Sequence, residues 1–159
     1  MKKLLLASAL ALLVLGCRKE APIYGVNNVD LDLIETSKTK LKTPNQFVAI
    51  LYANLFQTAL PVNKLVEITD LIDAIGDDQV AYEIIISNFM NMSTVQIPSD
   101  TEMRADPEHF IIETYKRFLI RRPTEAEKTY FINQINTNQN ITAELVYFSF
   151  ALSDEYQYY

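Results

Sequence analysis

Few side chains in this chain of 159 residues are of the types that perform chemistry. Cys17 is the only cysteine and His109 the only histidine. A metal site built on a histidine needs a second ligand at helical spacing, such as a glutamate three residues before it. The residue three positions before His109 is Asp106, which precedes Pro107 where a helix N-cap is expected. The sequence therefore predicts no metal site at His109.

Other routes to catalysis lack the residues they need. Asp70, Asp73, Asp77 and Asp78 cluster in sequence, but the glycine and the spacing of a calcium-binding loop are missing, so a solvated helix end is expected. The chain has only three glycines, and one of them is Gly16. Phosphate-binding loops and nucleophile elbows need glycine where the backbone must approach a ligand or take a positive φ. The sequence predicts no enzyme and no cofactor.

Two groups of side chains are candidates for contact with a partner: Lys116, Arg117, Arg121 and Arg122, and the C-terminal tyrosines Tyr158 and Tyr159. The basic group could dock an anionic partner, such as a lipid phosphate or peptidoglycan. Alternatively, its cations could simply complement the dipole at a helix C-terminus. Arg121 is also expected to reach the exposed carbonyls of that helix end and a carboxylate of the next helix. Tyr156 is expected to pack the last helix, which leaves the two terminal tyrosines as a contact surface.

The first twenty residues, MKKLLLASALALLVLGCRKE, explain the position of the cysteine. Lys2 and Lys3 precede a largely apolar run, Leu4 to Leu15, that is shorter than the roughly 20 residues needed to span a bilayer. This pattern is typical of an export signal. Val14 to Cys17 resembles the lipobox of bacterial lipoproteins, which implies cleavage after residue 16 and lipidation of Cys17. An ordinary signal peptide with a chance cysteine is the alternative.

Lipidation of Cys17 would leave no thiol for a disulfide, a metal or a nucleophile. Several acyl chains on one residue hold a protein at a membrane more firmly than a single chain does. Arg18 stands where inner-membrane lipoproteins of enteric bacteria have aspartate, so the resemblance implies the outer membrane, on its periplasmic face or at the cell surface. Arg18 to Glu20 is also similar to a surface-export signal, with Ala21 in place of a second acid.

The mature chain is more acidic than the full chain. Cleavage takes away Lys2 and Lys3, two of the 14 basic residues, and none of the 20 acidic ones, so the net charge changes from −6 to −8. Such a chain repels nucleic acid and anionic lipid surfaces as a whole. We therefore expect no nucleic-acid partner and expect membrane contact through the lipid anchor.

Residues 17–42 are predicted to be the lipidated cysteine and a flexible tether, because the segment is polar and contains Pro22 and Gly25. A flexible chain of this length spans roughly 25–30 Å. Within it, three apolar residues alternate with two aspartates from Val29 to Ile34, a period-2 pattern that could add an edge strand to a partner. The alternative is a segment that packs on its own domain or stays loose.

Residues 43–95 are predicted to form a first three-helix unit. Thr43 begins a capping box with proline at the first helical position. A second helix is expected from Pro61 to Ile75, ended by Gly76 in the left-handed conformation. The third is expected to start at Asp77-Asp78, because acids in the first turn suit the helix dipole.

Residues 96–105 are predicted to be a linker, and residues 106–159 a second three-helix unit. Asp106-Pro107 is expected to cap its first helix, and Thr124 to Glu127 forms another capping box. The pattern Pro-x-x-Phe-x-x-x-x-Tyr recurs after 63 residues, and the last helix echoes the third after 61. The recurrence predicts an internal duplication within an all-α fold. Chance matching of short apolar patterns is the alternative.

The second unit carries a recognisable set of residues: Tyr115, Leu119, Arg121 and Pro123, then Ser153, Glu155 and Tyr156. At this spacing they resemble a helical domain of unknown function from bacterial surface and secreted proteins, which reads Tyr-x-x-x-Leu-Gly-Arg-x-Pro and ends in Ser-x-Glu-Tyr. That domain is distantly similar to the phycobilisome linker domain. Ile120 replaces its usual glycine, and its tryptophan is absent. The resemblance implies a structural or linking role.

Together these features predict an outer-membrane lipoprotein with a tethered helical domain. We expect it to act as an accessory or scaffold subunit of a cell-envelope assembly, through an envelope protein partner. The alternative is a module that binds a periplasmic or surface ligand, such as a glycan or peptidoglycan. An enzyme is the least favoured class, because no carboxylate stands out for general acid–base catalysis. A scaffold should copurify with a protein, whereas a binding module should bind isolated cell-wall material.

Overall fold

The computed structural model describes residues 38–159, which belong to one compact unit. The predicted signal peptide, Cys17, the predicted sorting residues after it and the segment 29–34 lie outside the described residues. The described part contains eight α-helices and one isolated antiparallel bridge, so the predicted all-α class is confirmed. In chain order the helices are α1 (Pro44–Phe56), α2 (Val62–Ile75), α3 (Asp78–Met90), α4 (Asp100–Ala105), α5 (Pro107–Leu119), α6 (Glu125–Thr137), α7 (Ala143–Ala151) and α8 (Asp154–Gln157).

Hydrogen-bonded caps confirm the helix starts predicted at Thr43, Asp77, Asp106 and Thr124, whereas the helix expected from Pro61 begins at Val62 without a side-chain cap. At α1, Thr43 Oγ1 accepts from the backbone N–H of Gln46, and Gln46 Oε1 accepts from the backbone N–H of Thr43. Thr124 and Glu127 form the same reciprocal pair at α6. Asp106 Oδ1 accepts a first-turn backbone N–H of α5. Each cap satisfies donors that a helix start leaves without intrahelical partners.

Three helices end at a residue in the left-handed conformation. Gly76 ends α2 with φ 73°, as predicted. Gln57 ends α1 and Ile120 ends α5, each with φ 55°. Glycine adopts this conformation freely, whereas a β-branched side chain is strained there. Ile120 therefore carries a β-branched side chain at a position where the backbone favours glycine.

The predicted linker 96–105 is wrong for its second half, which forms α4. Ser99 and Glu102 make a third capping box at its start, and Met103 is fully buried. The guanidinium of Arg104 donates to backbone carbonyls at the end of α6 and in the loop that follows: those of Ile135, Asn138, Gln139 and Ile141. Through these hydrogen bonds α4 connects the α6–α7 loop to the rest of the fold.

The tether boundary predicted at residue 42 is also wrong, because residues 38–42 belong to the fold. The backbone N–H of Lys40 donates to the carbonyl of Tyr159 at 3.2 Å, and the N–H of Tyr159 donates to the carbonyl of Lys40 at 3.0 Å. The N–H of Lys42 donates to the carbonyl of Gln157 at 2.8 Å. We call this antiparallel pairing of residues 40–42 with 157–159 the terminal ribbon.

The two predicted three-helix units share one hydrophobic core. Buried side chains from both halves form a single cluster, and α3 packs directly on α7. α1 packs on α2 and α3, and α5 packs on α6 and α7. The two halves differ in their other contacts. In the first half α2 also packs on α3, and in the second half α5 also contacts α4 and α8. The helices therefore form one domain and not two independent ones.

Positions 63 residues apart in α1 and α5 have similar environments. Both helices have 13 residues, begin with proline and are followed by a left-handed residue. Phe47 and its counterpart Phe110 are both buried, and so are Leu55 and its counterpart Phe118. These correspondences support the duplication, which stays a prediction.

Candidate functional site

The basic residues of the predicted docking group interact with different parts of the chain. Lys116 Nζ pairs with Glu113 Oε1 at 2.7 Å, one turn away on the same helix. Arg117 Nη1 donates to the backbone carbonyl of Gln96 at 3.0 Å, and its guanidinium lies 5.4 Å from the ring centroid of Tyr147. These two cations therefore have different neighbours, and each already has an interaction within the chain.

Arg121 is committed to an internal ion cluster. Its Nε and Nη2 donate to the two carboxylate oxygens of Glu155, both at 2.7 Å. Its Nη1 and Nη2 donate to the two oxygens of Glu127 at 3.0 and 2.7 Å. The remaining Nη1 hydrogen faces the backbone carbonyl of Arg122 at 3.1 Å. All five guanidinium donors are thus satisfied, and the contact with Glu127 confirms that Arg121 reaches a carboxylate of the next capped helix.

The Arg121 cluster is electrically balanced. Hydrogen bonds from Arg121 lower the pKa of Glu127 to about 2 and hold the pKa of Glu155 below its usual value. The two carboxylates in turn raise the pKa of Arg121. Lys38 supplies a second cation, with Nζ 3.1 Å from Glu155 Oε1. Two cations and two anions leave no net charge, so the cluster acts as a structural joint between α5, α6, α8 and the chain at Lys38.

A cleft of about 310 Å³ lies beside this cluster. Tyr115, Phe131 and Phe150 line it, and the ring centroid of Tyr115 is 4.9 Å from the Arg121 guanidinium. Two serines also line the cleft, but both hydroxyls donate to backbone carbonyls of α7. Because the charges and the hydroxyls are already paired, the cleft offers a ligand mainly aromatic surface.

Three lysines of the polar run KTKLK alternate along the chain and face the C-terminal segment. Lys38 makes the ion pair described above, and Lys40 Nζ lies 5.4 Å from the ring centroid of Tyr159. Lys42 Nζ lies 3.9 Å from the ring centroid of Tyr156 and donates to its backbone carbonyl. Burial and the charge of Lys38 lower the pKa of Lys42 to about 8. The period-2 spacing of these lysines is the sequence signal that could have indicated this extended segment.

The C-terminal tyrosines are bound to the fold. Tyr156 is fully buried, its hydroxyl accepts from Asn54 Nδ2 at 3.0 Å, and burial raises its pKa. Tyr159 OH donates to Gln46 Oε1 at 3.1 Å. Tyr158 lies in the terminal ribbon and is 38% exposed. The tail therefore covers one face of α1, and only part of Tyr158 and Tyr159 faces solvent.

A second cleft, of about 320 Å³, lies between α4, α5 and α7. We call it the acidic cleft, and it is lined by Pro98, Glu102, Asp106, His109, Phe110, Glu113, Arg117 and Tyr147. Hydrogen bonds with Ser99 lower the pKa of Glu102, and the ion pair with Lys116 lowers that of Glu113, so both carboxylates are charged at neutral pH. The rings of Phe110 and Tyr147 in the lining are stacked, with centroids 5.9 Å apart.

Sequence reasoning missed the acidic cleft because it treated His109 only as a metal ligand. Asp106, His109 and Glu113 are spaced i, i+3 and i+7, which places polar groups along one face of a helix. That spacing is the signal that could have indicated the α5 side of the cleft. Tyr147 and Glu102 come from other helices, so only the folded chain brings them to it.

Residues 38–159 contain neither a candidate metal site nor a candidate membrane span. No three His, Cys, Asp or Glu side chains in this range are grouped so as to hold a metal ion. None of the helices in the same range is long and apolar enough to cross a bilayer. Comparison of the chain with models of protein families, with curated proteins and with solved structures finds no significant match.

Proposed function

We propose that this protein is an outer-membrane lipoprotein, anchored through Cys17, that serves as an accessory or scaffold subunit of a cell-envelope assembly. The lipobox and Arg18 support the anchor and the location. The helical domain is proposed to hold an envelope protein partner. The proposal assigns it no catalytic activity, no cofactor and no nucleic-acid ligand.

The observation that carries this proposal is that Lys38, the first residue the structure describes, is held to the helical domain. Lys38 pairs with Glu155, and Arg121 bridges Glu155 to Glu127. Charge-assisted hydrogen bonds therefore connect the beginning of the described chain to α8, α5 and α6 without interruption. The terminal ribbon adds backbone hydrogen bonds beside them. Such a joint suits a domain that holds a partner while it is attached to a membrane.

The partner surface is proposed to lie in the second half of the domain. Arg117 and Arg121 are partly buried and held by other parts of the chain, so the exposed Lys116 and Arg122 are the better candidates for outside contact. Tyr158 and Tyr159 keep about two fifths of their surface exposed, at 38% and 41%. Aromatic side chains of this kind are enriched in protein interfaces.

A crosslinking pull-down from the protein's own membranes tests the proposal. We expect the wild type to enrich an envelope protein and the double variant Lys116→Glu/Arg122→Glu to recover less of it. Lys64→Glu is a matched control, because Lys64 is also exposed and also pairs with a glutamate three residues away. If the wild type enriches no envelope protein, the scaffold role is wrong. If the folded double variant and the control recover equal amounts, Lys116 and Arg122 do not contact the partner.

The second candidate function is a ligand-binding module for a glycan or peptidoglycan. The two clefts in the second half favour it, because their volumes fall at the lower end of the about 300–1,000 Å³ typical of ligand sites. Sedimentation with purified cell-wall sacculi, free of protein, distinguishes the two functions. Saturable cosedimentation of the purified protein would support the binding module, and its absence would favour the scaffold.

A further inference from the structure

α2 exposes several aliphatic side chains to solvent. Ile72 is the only buried residue among its 14 residues. Val62, Val66 and Leu71 are 76%, 53% and 44% exposed. α6 also has one buried residue, but Tyr130 is the only large hydrophobic side chain that it exposes. A peripheral helix of this domain therefore does not need exposed aliphatic residues, and those of α2 require another explanation.

Part of this exposed surface is also acidic. We define the α2 face as four exposed residues that are spaced i, i+4, i+8 and i+11 and so lie along one side of the helix: Val62, Val66, Asp70 and Asp73. Neither aspartate forms an ion pair within residues 38–159. The only cation of α2, Lys64, is paired with a glutamate of the same helix. The α2 face therefore combines apolar surface with two negative charges.

The end of α5 presents the opposite charge. Ile120 is 68% exposed, and the exposed cations Lys116 and Arg122 stand one turn before it and two residues after it. Lys116 pairs with Glu113 of the same helix, in an exposed contact of a kind that contributes little to stability. Arg122 forms no ion pair in the part of the chain that the structure describes. We call Lys116, Ile120 and Arg122 the α5 knob.

Ile120 is the residue that indicates a contact at the α5 knob. Its φ of 55° is a conformation that glycine adopts freely and that strains a β-branched side chain. Because the side chain faces solvent, burial within the chain does not offset this strain. Strained residues of this kind concentrate at functional sites. An exposed isoleucine between two cations is suited to anchor a contact with a surface that is both apolar and acidic.

We propose that the α5 knob of one copy of this protein docks on the α2 face of a second copy. Ile120 packs on the two valines, and Lys116 and Arg122 face the two aspartates, so that each charge meets its opposite. Because the two surfaces belong to different parts of the chain, the contact is heterologous and repeats head to tail. An open row of copies leaves one α5 knob free, so this inference goes beyond the proposed function without displacing the envelope partner.

The size of the two surfaces sets the expected strength of the contact. Both surfaces are small, so the association between copies in solution is expected to be weak. Copies that share a membrane are confined to one layer, which raises their effective concentration. Only this second step relies on the proposed lipid anchor.

Sedimentation velocity tests the proposal on the purified full-length protein in a non-ionic detergent with micelles in excess. Between about 1 μM and about 1 mM protein, we expect the wild type to associate reversibly. Asp70→Lys/Asp73→Lys and Lys116→Glu/Arg122→Glu should each associate at least about tenfold more weakly, because like charges then meet. An equimolar mixture of the two variants should associate again, because opposite charges meet at both kinds of contact.

Two further variants make the test specific. Glu83→Lys/Glu144→Lys is the matched control: it changes the net charge as Asp70→Lys/Asp73→Lys does, at exposed residues outside both surfaces, and should associate as the wild type does. Ile120→Gly relieves strain, so it should fold at least as stably as the wild type and still associate about tenfold more weakly. A purely structural role of Ile120 predicts no such loss. Circular dichroism and the thermal midpoint check folding.

Three results would overturn the proposal: a wild type that stays monomeric, a mixture that does not associate again, or Ile120→Gly protein that associates as the wild type does. Because sedimentation needs no cellular partner, its outcome is separable from that of the pull-down. Self-association without a copurifying envelope protein refutes the scaffold role and keeps the head-to-tail contact. A copurifying partner with a monomeric protein refutes the head-to-tail contact and keeps the scaffold role.

Discussion

Arg121 holds Glu155 through two parallel hydrogen bonds, from Nε to Oε1 and from Nη2 to Oε2, each 2.7 Å long. The planar fork of a guanidinium matches the two oxygens of a carboxylate, a match that an ammonium group cannot reproduce. The same guanidinium also holds Glu127, so one side chain joins the end of α5 to the start of α6 and to α8. The stability of the second half should therefore depend on this residue.

Arg121→Ala should lower the free energy of unfolding by about 2 kcal/mol, because it removes charged hydrogen bonds and leaves two carboxylates close together in a partly buried site. Arg121→Lys should recover only a minor part, because lysine cannot bind both carboxylates in bidentate fashion. Urea denaturation of the full-length protein measures both effects. Arg122→Ala is the adjacent control and should change stability by less than about 0.5 kcal/mol. Equal stability of the two alanine variants would show that the cluster contributes nothing.

The protein should lose stability in acid as the Arg121 cluster is protonated. The folded-state pKa of Glu127 is about 2, below its ordinary value of 4.5, and that of Glu155 is also lowered. Because the folded-state values are depressed, the contribution to stability is present above about pH 4.5 and is lost as the pH falls toward 2. Unfolding measured between pH 2 and 6 should show this decline, and Arg121→Ala should flatten it. A decline of the same steepness in the variant would contradict the assignment.

Replacing Ile120 with glycine should stabilise the protein. Ile120 has φ 55° and ψ 32°, and its side chain is 68% exposed, so the substitution relieves strain and sacrifices little burial. The substitution removes the strain of a β-branched residue in the left-handed conformation, but glycine also raises the entropy of the unfolded chain. The difference predicts a net gain of about 0.5–1 kcal/mol in the free energy of unfolding. Thermal and urea unfolding measure it. Gln57→Gly should gain less, because Gln57 is unbranched at Cβ and its side-chain amide donates to the carbonyl of Asn54. A destabilised Ile120→Gly protein would contradict this reasoning.

Deletion of Tyr158 and Tyr159 should release one end of the terminal ribbon. The deletion removes the carbonyl that accepts from the N–H of Lys40, so we expect this amide to exchange hydrogen at least about tenfold faster. The N–H of Lys42 bonds to Gln157, which remains, and should keep more of its protection. Hydrogen exchange read by mass spectrometry or NMR measures both. Amides in α6 serve as the internal control, and acceleration there as well would indicate general unfolding.

The proposed membrane anchor is tested at Cys17. A Cys17→Ser protein should lose its lipid and leave the membrane fraction, because the remaining chain lacks the acyl groups that hold it there. Fractionation with metabolic labelling by a fatty-acid analogue measures both properties. Ser8→Ala is a suitable control, because it changes the leader but not the lipobox. Equal membrane retention of the Cys17→Ser protein would refute the lipoprotein assignment.

Helix boundaries were predictable because their causes are local. The caps at Thr43, Asp106 and Thr124 involve residues only three apart, and Gly76 ends its helix through its own backbone freedom. The same signature stands at Ser99 and Glu102, but the polar composition around it led to a wrong linker prediction there. The predicted contact of Arg121 with Glu127 joins residues six positions apart. Its contact with Glu155 joins residues 34 positions apart, and no local pattern indicates it.

The sequence by itself determined the all-α class, the positions of the caps and the recurrence of the helix pattern, because these depend on side chains and backbone within one or two turns. The tertiary structure decided three other features. It paired Lys40 with Tyr159, it placed Tyr156 on α1, and it brought Glu102 and Tyr147 to the cleft beside α5. Contacts between residues more than 100 positions apart depend on how the whole core packs, and a local pattern such as KTKLK does not specify which distant surface it will meet.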